Sequence, residues 1–296
     1  MDFGRVEHPH LIDFALPEDH PDTKDVLSDR RQREGLDIYV GCAKWNRNEL
    51  KHFYPKGIVD DLAYYSGQFN SIELNTAFYN IYGREQIQKW RDKTPENFRF
   101  FPKIFRGISH DSALQGVESL LDQYCESIRS FESRLGMVFL QLSESFDPSK
   151  FERLERFLTL FPKDLPLAVE LRHRDWFRDK EIYNRFYNRF RESDVTHVIV
   201  DTAGRRDMVH MRLSTPSVFI RWVGSNHDSD YSRLDEWVIR LKSWFESGLR
   251  NLYFFVHQNT EEESPRLAAY FIERLNAECG TNLKIPDLPP EQQLLF

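Results

Sequence analysis

The sequence predicts an α/β fold of the (β/α)8 type, a TIM barrel formed by a single domain with N- and C-terminal extensions. Short runs rich in β-branched and aromatic residues alternate with longer amphipathic stretches. The alternation repeats eight times over about 260 residues, close to the roughly 250 that such barrels need. No GxGxxG follows any strand candidate, which argues against a dinucleotide-binding open sheet.

The regular alternation occupies residues 37–280. Residues 1–36 contain several prolines and a charged run with little apolar periodicity, which indicates an extension that wraps the domain or is partly disordered. The strands are predicted, from their β-rich apolar runs, at 38–42, 71–74, 98–103, 137–141, 167–170, 197–201, 218–222 and 252–256.

The helices between these strands are predicted from apolar residues at helical spacing. They lie at about 59–69, 84–93, 113–134, 150–160, 180–191, 234–247 and 265–279. The sixth unit is an exception, because the residues after Asp201 carry no helical pattern and indicate a loop. Residues 281–296 form a proline-rich tail.

Polar side chains end nearly every predicted strand. In a TIM barrel these carboxyl ends meet at one mouth, where the chemistry lies. In chain order, the residues at or just after the strand ends are Lys44, Trp45, Glu73, Asn75, Tyr79, Lys103, His110, Gln141, Glu170, Arg172, Asp201, Arg221, His257 and Asn259. The fifth strand runs into LAVELRHRDW, and burying its carboxylate and guanidinium requires partners from other strands.

Several of these residue types suit catalysis on an anionic substrate. Candidate acid or base groups are Glu73, His110, Glu170 and Asp201. Candidate substrate-binding residues are the cations Lys103, Arg172 and Arg221, the amides Asn75 and Asn259, and the aromatic residues Trp45 and Tyr79. The alternatives are an ion-pair layer and an aromatic cap on the core. A divalent metal is not favoured, because the cations compete with it for the carboxylates.

The composition narrows the class of protein. A net charge of −7 argues against coating nucleic acid by charge alone, although a local basic cleft remains compatible with it. Three widely spaced cysteines form neither a disulfide framework nor a zinc pattern. The N-terminus lacks the order of a signal peptide, and no apolar run approaches the roughly 18 residues of a membrane span. A cytoplasmic protein without membrane contact is therefore expected.

A set of short motifs resembles the YecE-like family, known as domain of unknown function 72. They are GCAKW at 41–45, SIELNTAFY at 71–79, FRFFPK at 98–103, SH at 109–110, LQL at 140–142, VELRHRDW at 169–176 and FIRWVG at 219–224. The resemblance spans roughly residues 39–275, and it implies a TIM barrel without implying an activity. Ser143 and Trp222-Val223 depart from the usual pattern of the family.

The last five residues, QQLLF, resemble the peptide with which bacterial proteins bind the DNA sliding clamp. In that interpretation Gln292, Leu295 and Phe296 contact the clamp, and the proline-rich spacer presents them. The alternative is that the tail packs on its own barrel.

Three functions are compatible with these observations. The first is an enzyme, a hydrolase or an isomerase, that acts on an anionic substrate such as a sugar phosphate or a nucleic-acid phosphodiester. The second is a protein that binds such a small ligand or a nucleic-acid backbone without turnover. The third is an accessory factor in DNA maintenance that is tethered to the sliding clamp.

Overall fold

The strands and helices were obtained from a computed structural model, which describes residues 3–28 and 35–288. The strands are β1 (Asp37–Cys42), β2 (Ser71–Leu74), β3 (Arg99–Pro102), β4 (Val138–Gln141), β5 (Leu167–Glu170), β6 (Val195–His197), β7 (Ile199–Asp201), β8 (Ser217–Val223) and β9 (Asn251–His257). The helices are α1 (Pro21–Leu27), α2 (Asp61–Gln68), α3 (Arg84–Asp92), α4 (Glu118–Arg129), α5 (Phe151–Leu160), α6 (Asp175–Arg178), α7 (Lys180–Glu192), α8 (Ser229–Ser247) and α9 (Ser264–Cys279).

Every predicted strand and helix overlaps an observed one, whereas α1 and the short α6 were not predicted. The largest boundary errors are five residues, at the two ends of α4 (predicted 113 and 134) and at the start of α8 (predicted 234). Ala113, Leu114 and Gly116 have φ angles of 44°, 63° and 63°. A right-handed helix cannot include such residues, so the chain turns there before α4 begins.

All strand pairs are parallel and follow the circular order of a TIM barrel. One sheet has the order β3-β2-β1-β9-β8-β7, and the other has the order β4-β5-β6. The sixth barrel strand is divided at Val198, so that β6 pairs with β5 whereas β7 pairs with β8. Isolated parallel bridges, Phe100 with Leu135 and Lys103 with Phe139, connect β3 to β4. The ring is thus TIM-barrel-like, with its ladder interrupted at these two places.

The barrel interior changes from apolar to polar along the strands. Side chains two residues apart point to the same face of a strand. An inner cluster contains Phe101, Phe139, Phe219 and Phe255. Two positions further toward the carboxyl ends, the same strands carry Lys103, Gln141, Arg221 and His257. A layer of ionisable and amide groups therefore lies directly above an aromatic plug.

The outer face of the strands is covered by apolar helix faces. Trp237 of α8 and Phe271 of α9 are fully buried, and the Phe271 ring stacks on Phe254 of β9 with centroids 4.0 Å apart.

Within residues 3–28 and 35–288, no helix combines the length and the apolar character that crossing a lipid bilayer requires.

Residues 3–28 wrap around the barrel. Asp19 accepts a hydrogen bond from the indole of Trp244 on α8 at 2.9 Å. Asp22 of α1 accepts two hydrogen bonds from Arg212, at 2.9 and 2.5 Å. These charged and polar contacts tie the N-terminal segment to the loop and helix that follow β7 and β8.

Leu167→Ala tests the packing between β5 and the outer helices. Leu167 is 3% exposed, so its truncation is expected to lower the free energy of unfolding by about 2–5 kcal/mol through lost burial and a residual cavity. Urea denaturation followed by circular dichroism measures the change. Val59→Ala is the control, because Val59 is 96% exposed and should change stability by less than about 0.5 kcal/mol. Equal midpoints for the two variants would contradict the burial of Leu167.

Candidate functional site

Arg221 lies at the centre of the polar layer and joins two carboxylates. Its Nε and Nη2 atoms donate to Glu73 Oε2 and Oε1 at 2.9 and 2.8 Å. Its Nη1 atom donates to Glu170 Oε2 at 2.7 Å. All three side chains are fully buried. The site therefore contains a buried Glu–Arg–Glu bridge across the barrel.

The arginines keep both carboxylates ionised. Burial alone would raise the pKa of Glu170, but Arg172 and Arg221 lower that pKa to about 2. Burial would likewise raise the pKa of Glu73, whereas Arg221 and His257 hold it well below its usual range. Both groups are thus acceptors of hydrogen bonds rather than proton donors near neutral pH.

The amide oxygen of Gln141 collects three basic side chains. Gln141 Oε1 accepts hydrogen bonds from Arg172 Nη2 at 2.8 Å, from Lys103 Nζ at 3.0 Å and from Arg221 Nη1 at 3.3 Å. A neutral amide oxygen is a weaker acceptor for a cation than an anionic oxygen is. Three basic side chains consequently share one neutral acceptor.

Lys103 is the cation of this layer that lacks a carboxylate. Its side chain is 92% buried, and Nζ lies 4.1 Å from the centre of the Phe78 ring. Burial lowers the pKa of Lys103 to about 7, with a further contribution from the charge of Arg221. Among the described residues, no Asp or Glu forms an ion pair with it.

A cavity of about 480 Å³ opens beside this layer. Lys103, Asn75, Tyr79, His257 and Asn259 contribute to its wall. Tyr79 is 62% exposed at the rim, and Asn75 donates a hydrogen bond to Glu73 Oε1 at 2.8 Å. The cavity is large enough for a small metabolite.

Arg172 lies on the other side of the polar layer, beneath the N-terminal segment. Its Nε atom donates to Glu170 Oε1 at 2.5 Å, and its guanidinium carbon lies 3.8 Å from the centre of the Phe3 ring. Gly4 has a φ of +73°, and a Cβ atom there would lie 2.3 Å from the hydroxyl oxygen of Thr202. Glycine is therefore required where the segment docks on the mouth.

His110 lies at the rim of the site. Its ring packs edge-on against Phe78 at 4.8 Å, and its Nδ1 atom is 2.8 Å from Ser109 Oγ. Burial and the charges of Lys103 and Arg172 lower the pKa of His110 to about 4. The ring is therefore neutral at pH 7.

Gln141 and His257, which the sequence places at strand ends, also belong to the site. His257 is fully buried, with Nε2 3.0 Å from Glu73 Oε2 and Nδ1 3.8 Å from Glu261 Oε1. Both residues end barrel strands, so the rule that identified Glu73 and Arg221 identified them as well.

Asp201 and Trp45 do not join the site. Asp201 lies on the outer side of its strand, where Oδ2 accepts a hydrogen bond from Trp237 and Oδ1 accepts from Arg233 at 2.7 and 2.9 Å. Trp45 packs edge-on against Trp90, with centroids 5.7 Å apart. Both side chains are occupied by contacts with the outer helices.

The loops after β8 and β9 do not offer a free anion site. TIM barrels frequently bind phosphate there, through backbone N–H groups near a helix N-terminus. Here the Asp230 carboxylate accepts hydrogen bonds from the N–H groups of Ser225 and His227. It also accepts from Gln258 Nε2 at 3.2 Å and pairs with Arg233 at 3.0 Å. An incoming anion would be repelled at this position.

Carboxylates and histidines do not cluster as they do in a metal site. In the part of the chain that the structure describes, no three Asp, Glu, His or Cys side chains come together in a way that could hold a metal ion. The carboxylates of the polar layer instead face arginines, as described above.

Comparison with known proteins identifies relatives along most of the chain. A family model described as "Protein of unknown function DUF72" matches residues 39–293. The UPF0759 protein YecE of Escherichia coli K12 is 26% identical over 279 residues, covering 87% of this chain and 99% of YecE. UPF0759 protein YunF of Bacillus subtilis is 29% identical over 150 residues, covering 47% and 52%.

Solved structures share the fold. A DUF72 family protein from Enterococcus faecalis superimposes with a TM-score of 0.66 at 20% identity, covering 84% of this chain and all of that one. A DUF72 family protein from Thermotoga maritima gives a TM-score of 0.62 at 22% identity, covering 81% and 99%.

Proposed function

The chain belongs to the DUF72 family, whose function is unknown, and we propose that its barrel mouth binds a small anionic substrate. The substrate class that we propose is a sugar phosphate or a phosphodiester. The observation that carries the proposal is the convergence of Lys103, Arg172 and Arg221 on a single amide oxygen.

The charges of the polar layer support an anionic ligand. Three basic side chains face two carboxylates, so one basic group is left over when Lys103 is protonated. This surplus positive charge is buried, and its attraction to an anion is therefore stronger than it would be in water. The leftover group is also the one that lines the cavity.

Turnover rather than binding alone is supported by two imidazoles, His257 in the wall of the cavity and His110 packed against Phe78 of that wall. His110 is neutral at pH 7, and His257 is held by Glu73 through Nε2. A carboxylate that orients an imidazole is a recurrent arrangement for general bases. We therefore favour an enzyme over a binding protein.

Lys103→Met tests the proposal with inorganic phosphate as the probe. The substitution removes the unpaired amine while keeping a long apolar stem, so the dissociation constant for phosphate is expected to rise about tenfold. Isothermal titration calorimetry at pH 6, below the pKa of Lys103, measures it. Lys180→Met is the matched control, because Lys180 is exposed at the start of α7. Equal affinities for the two variants would refute the anion site.

The clamp-binding tail stays a prediction. Gln292, Leu295 and Phe296 lie outside the described residues, and the described part of the tail ends at Leu288. Up to that point it runs along α2, where the backbone N–H of Asp287 donates to Gln68 at 2.9 Å.

A further inference from the structure

We propose that Lys103 is an amine nucleophile that forms an imine with a carbonyl group of an anionic substrate. The inference rests on the proposed anion site and adds a reaction class to it. Lysines act in this way when their surroundings disfavour the ammonium form and leave the nitrogen open to a substrate.

The surroundings of Lys103 meet the first condition. The side chain is almost fully buried and shares Gln141 Oε1 with two arginines. In the described residues its hydrogen-bonding partner is that neutral oxygen, and the charges of Glu170 and Glu73 offset burial and the arginines only in part. Burial and the neighbouring arginines lower its pKa to about 7, so a large fraction of free amine is present at neutral pH.

The geometry meets the second condition. Lys103 lies in the wall of the 480 Å³ cavity, and the Phe78 ring covers one side of Nζ at 4.1 Å. Asn75, Asn259 and Tyr79 line the same cavity and can bind the hydroxyl groups of a substrate. A carbonyl compound in the cavity therefore meets the amine directly.

The chemistry balances without another reagent. The amine lone pair attacks the carbonyl carbon and a C–N bond forms. The carbonyl oxygen then leaves as water with the two hydrogens of the amine, and a C=N bond remains. Uptake of one proton from solvent at the imine nitrogen gives a cation beside two arginines, so a phosphate or carboxylate on the same substrate would stabilise it. This points to a lyase or an isomerase acting on an anionic aldehyde or ketone.

Reductive trapping in the wild-type full-length chain tests the inference. The protein is incubated with glyoxylate, an anionic aldehyde, and sodium cyanoborohydride, and the modified lysines are mapped by mass spectrometry. Lys103 is expected to be labelled about tenfold faster than the exposed Lys180, because its free-amine fraction is higher. The labelling rate should increase as the pH rises through about 7. Lys103→Arg keeps the positive charge and should abolish the label at this position.

Glycolaldehyde, a neutral aldehyde of the same carbon number, separates this inference from the proposed function. Faster labelling of Lys103 by glyoxylate than by glycolaldehyde, with slowing by inorganic phosphate, supports both. Equal labelling of Lys103 by the two aldehydes supports the nucleophile and refutes the anion site. Labelling of Lys180 without labelling of Lys103 overturns the inference, whatever the phosphate titration gives.

Discussion

Replacing Arg221 by Met is expected to lower the free energy of unfolding by about 3–5 kcal/mol, because it leaves two carboxylates buried without their shared partner. Arg221, Glu73 and Glu170 are all fully buried, and the arginine makes three hydrogen bonds of 2.7–2.9 Å to the two glutamates. Chemical denaturation at pH 7 measures the change.

Two further variants identify the cause of that loss. Arg129→Met breaks an exposed, bidentate pair with Asp164 at 2.9 and 3.0 Å, and it should cost at most about 1 kcal/mol. In the Arg221→Met background, Glu73→Gln should restore part of the lost stability, because it removes one of the buried charges. A loss at Arg221 no larger than that at Arg129 would contradict the buried bridge, as would the absence of any recovery.

The sequence was sufficient to predict the strands because each consists of β-branched and aromatic residues between turn-forming segments. The grouping of Glu73, Lys103, Glu170 and Arg221 could also be predicted, since parallel strands in one barrel bring their carboxyl ends together. Their pairing could not be predicted, because it depends on the distances between side chains on different strands.

Asp201 shows where the reasoning from strand ends fails. In the run VTHVIVD, apolar residues occupy both alternating positions, as is usual for parallel strands buried on both faces. The alternation therefore does not tell which residues point inward. In the structure Val198 and Val200 belong to the inner cluster, and Asp201 consequently points outward to Arg233.

The contact between Phe3 and Arg172 could not be predicted from the sequence either. The two residues are far apart along the chain, and the N-terminal segment has no periodic pattern that would indicate its partner. The family model begins at residue 39, so this contact comes from a part of the chain outside the matched region.

Acidification from pH 7 is expected to destabilise the protein before the carboxylates titrate, because two stacked histidines are buried in their neutral form. His197 and His210 lie with ring centroids 3.9 Å apart. Burial lowers the pKa of His210 from 6.5 to about 4, and the pKa of His197 falls well below its usual range for the same reason, with Arg212 adding to both effects.

The sign of the pH effect follows from proton binding. A histidine whose pKa is depressed by folding binds its proton more readily in the unfolded chain, so stability falls as the pH drops from about 6.5 toward 4. The lowering of the His210 pKa from 6.5 to about 4 corresponds to a loss of about 3 kcal/mol in the free energy of unfolding once the pH has fallen through both values. The pKa values of Glu73 and Glu170 are lowered from 4.5 by folding. The stability that these two ionised carboxylates contribute is therefore lost mainly below pH 4.5.

His197→Phe should flatten this pH dependence without loss of stability at pH 7.5. Both ring nitrogens of His197 lack a hydrogen-bond partner among the described residues, and the ring packs against Phe186 and Phe190 at 5.2 and 5.6 Å. A phenyl ring fits these neighbours and carries no buried polar atom. Urea midpoints at pH 7.5, 6.0 and 5.0 provide the measurement, with His10→Gln as the exposed control. If the variant lost stability with falling pH as steeply as the wild type, the acid sensitivity would have to come from groups other than the buried His197.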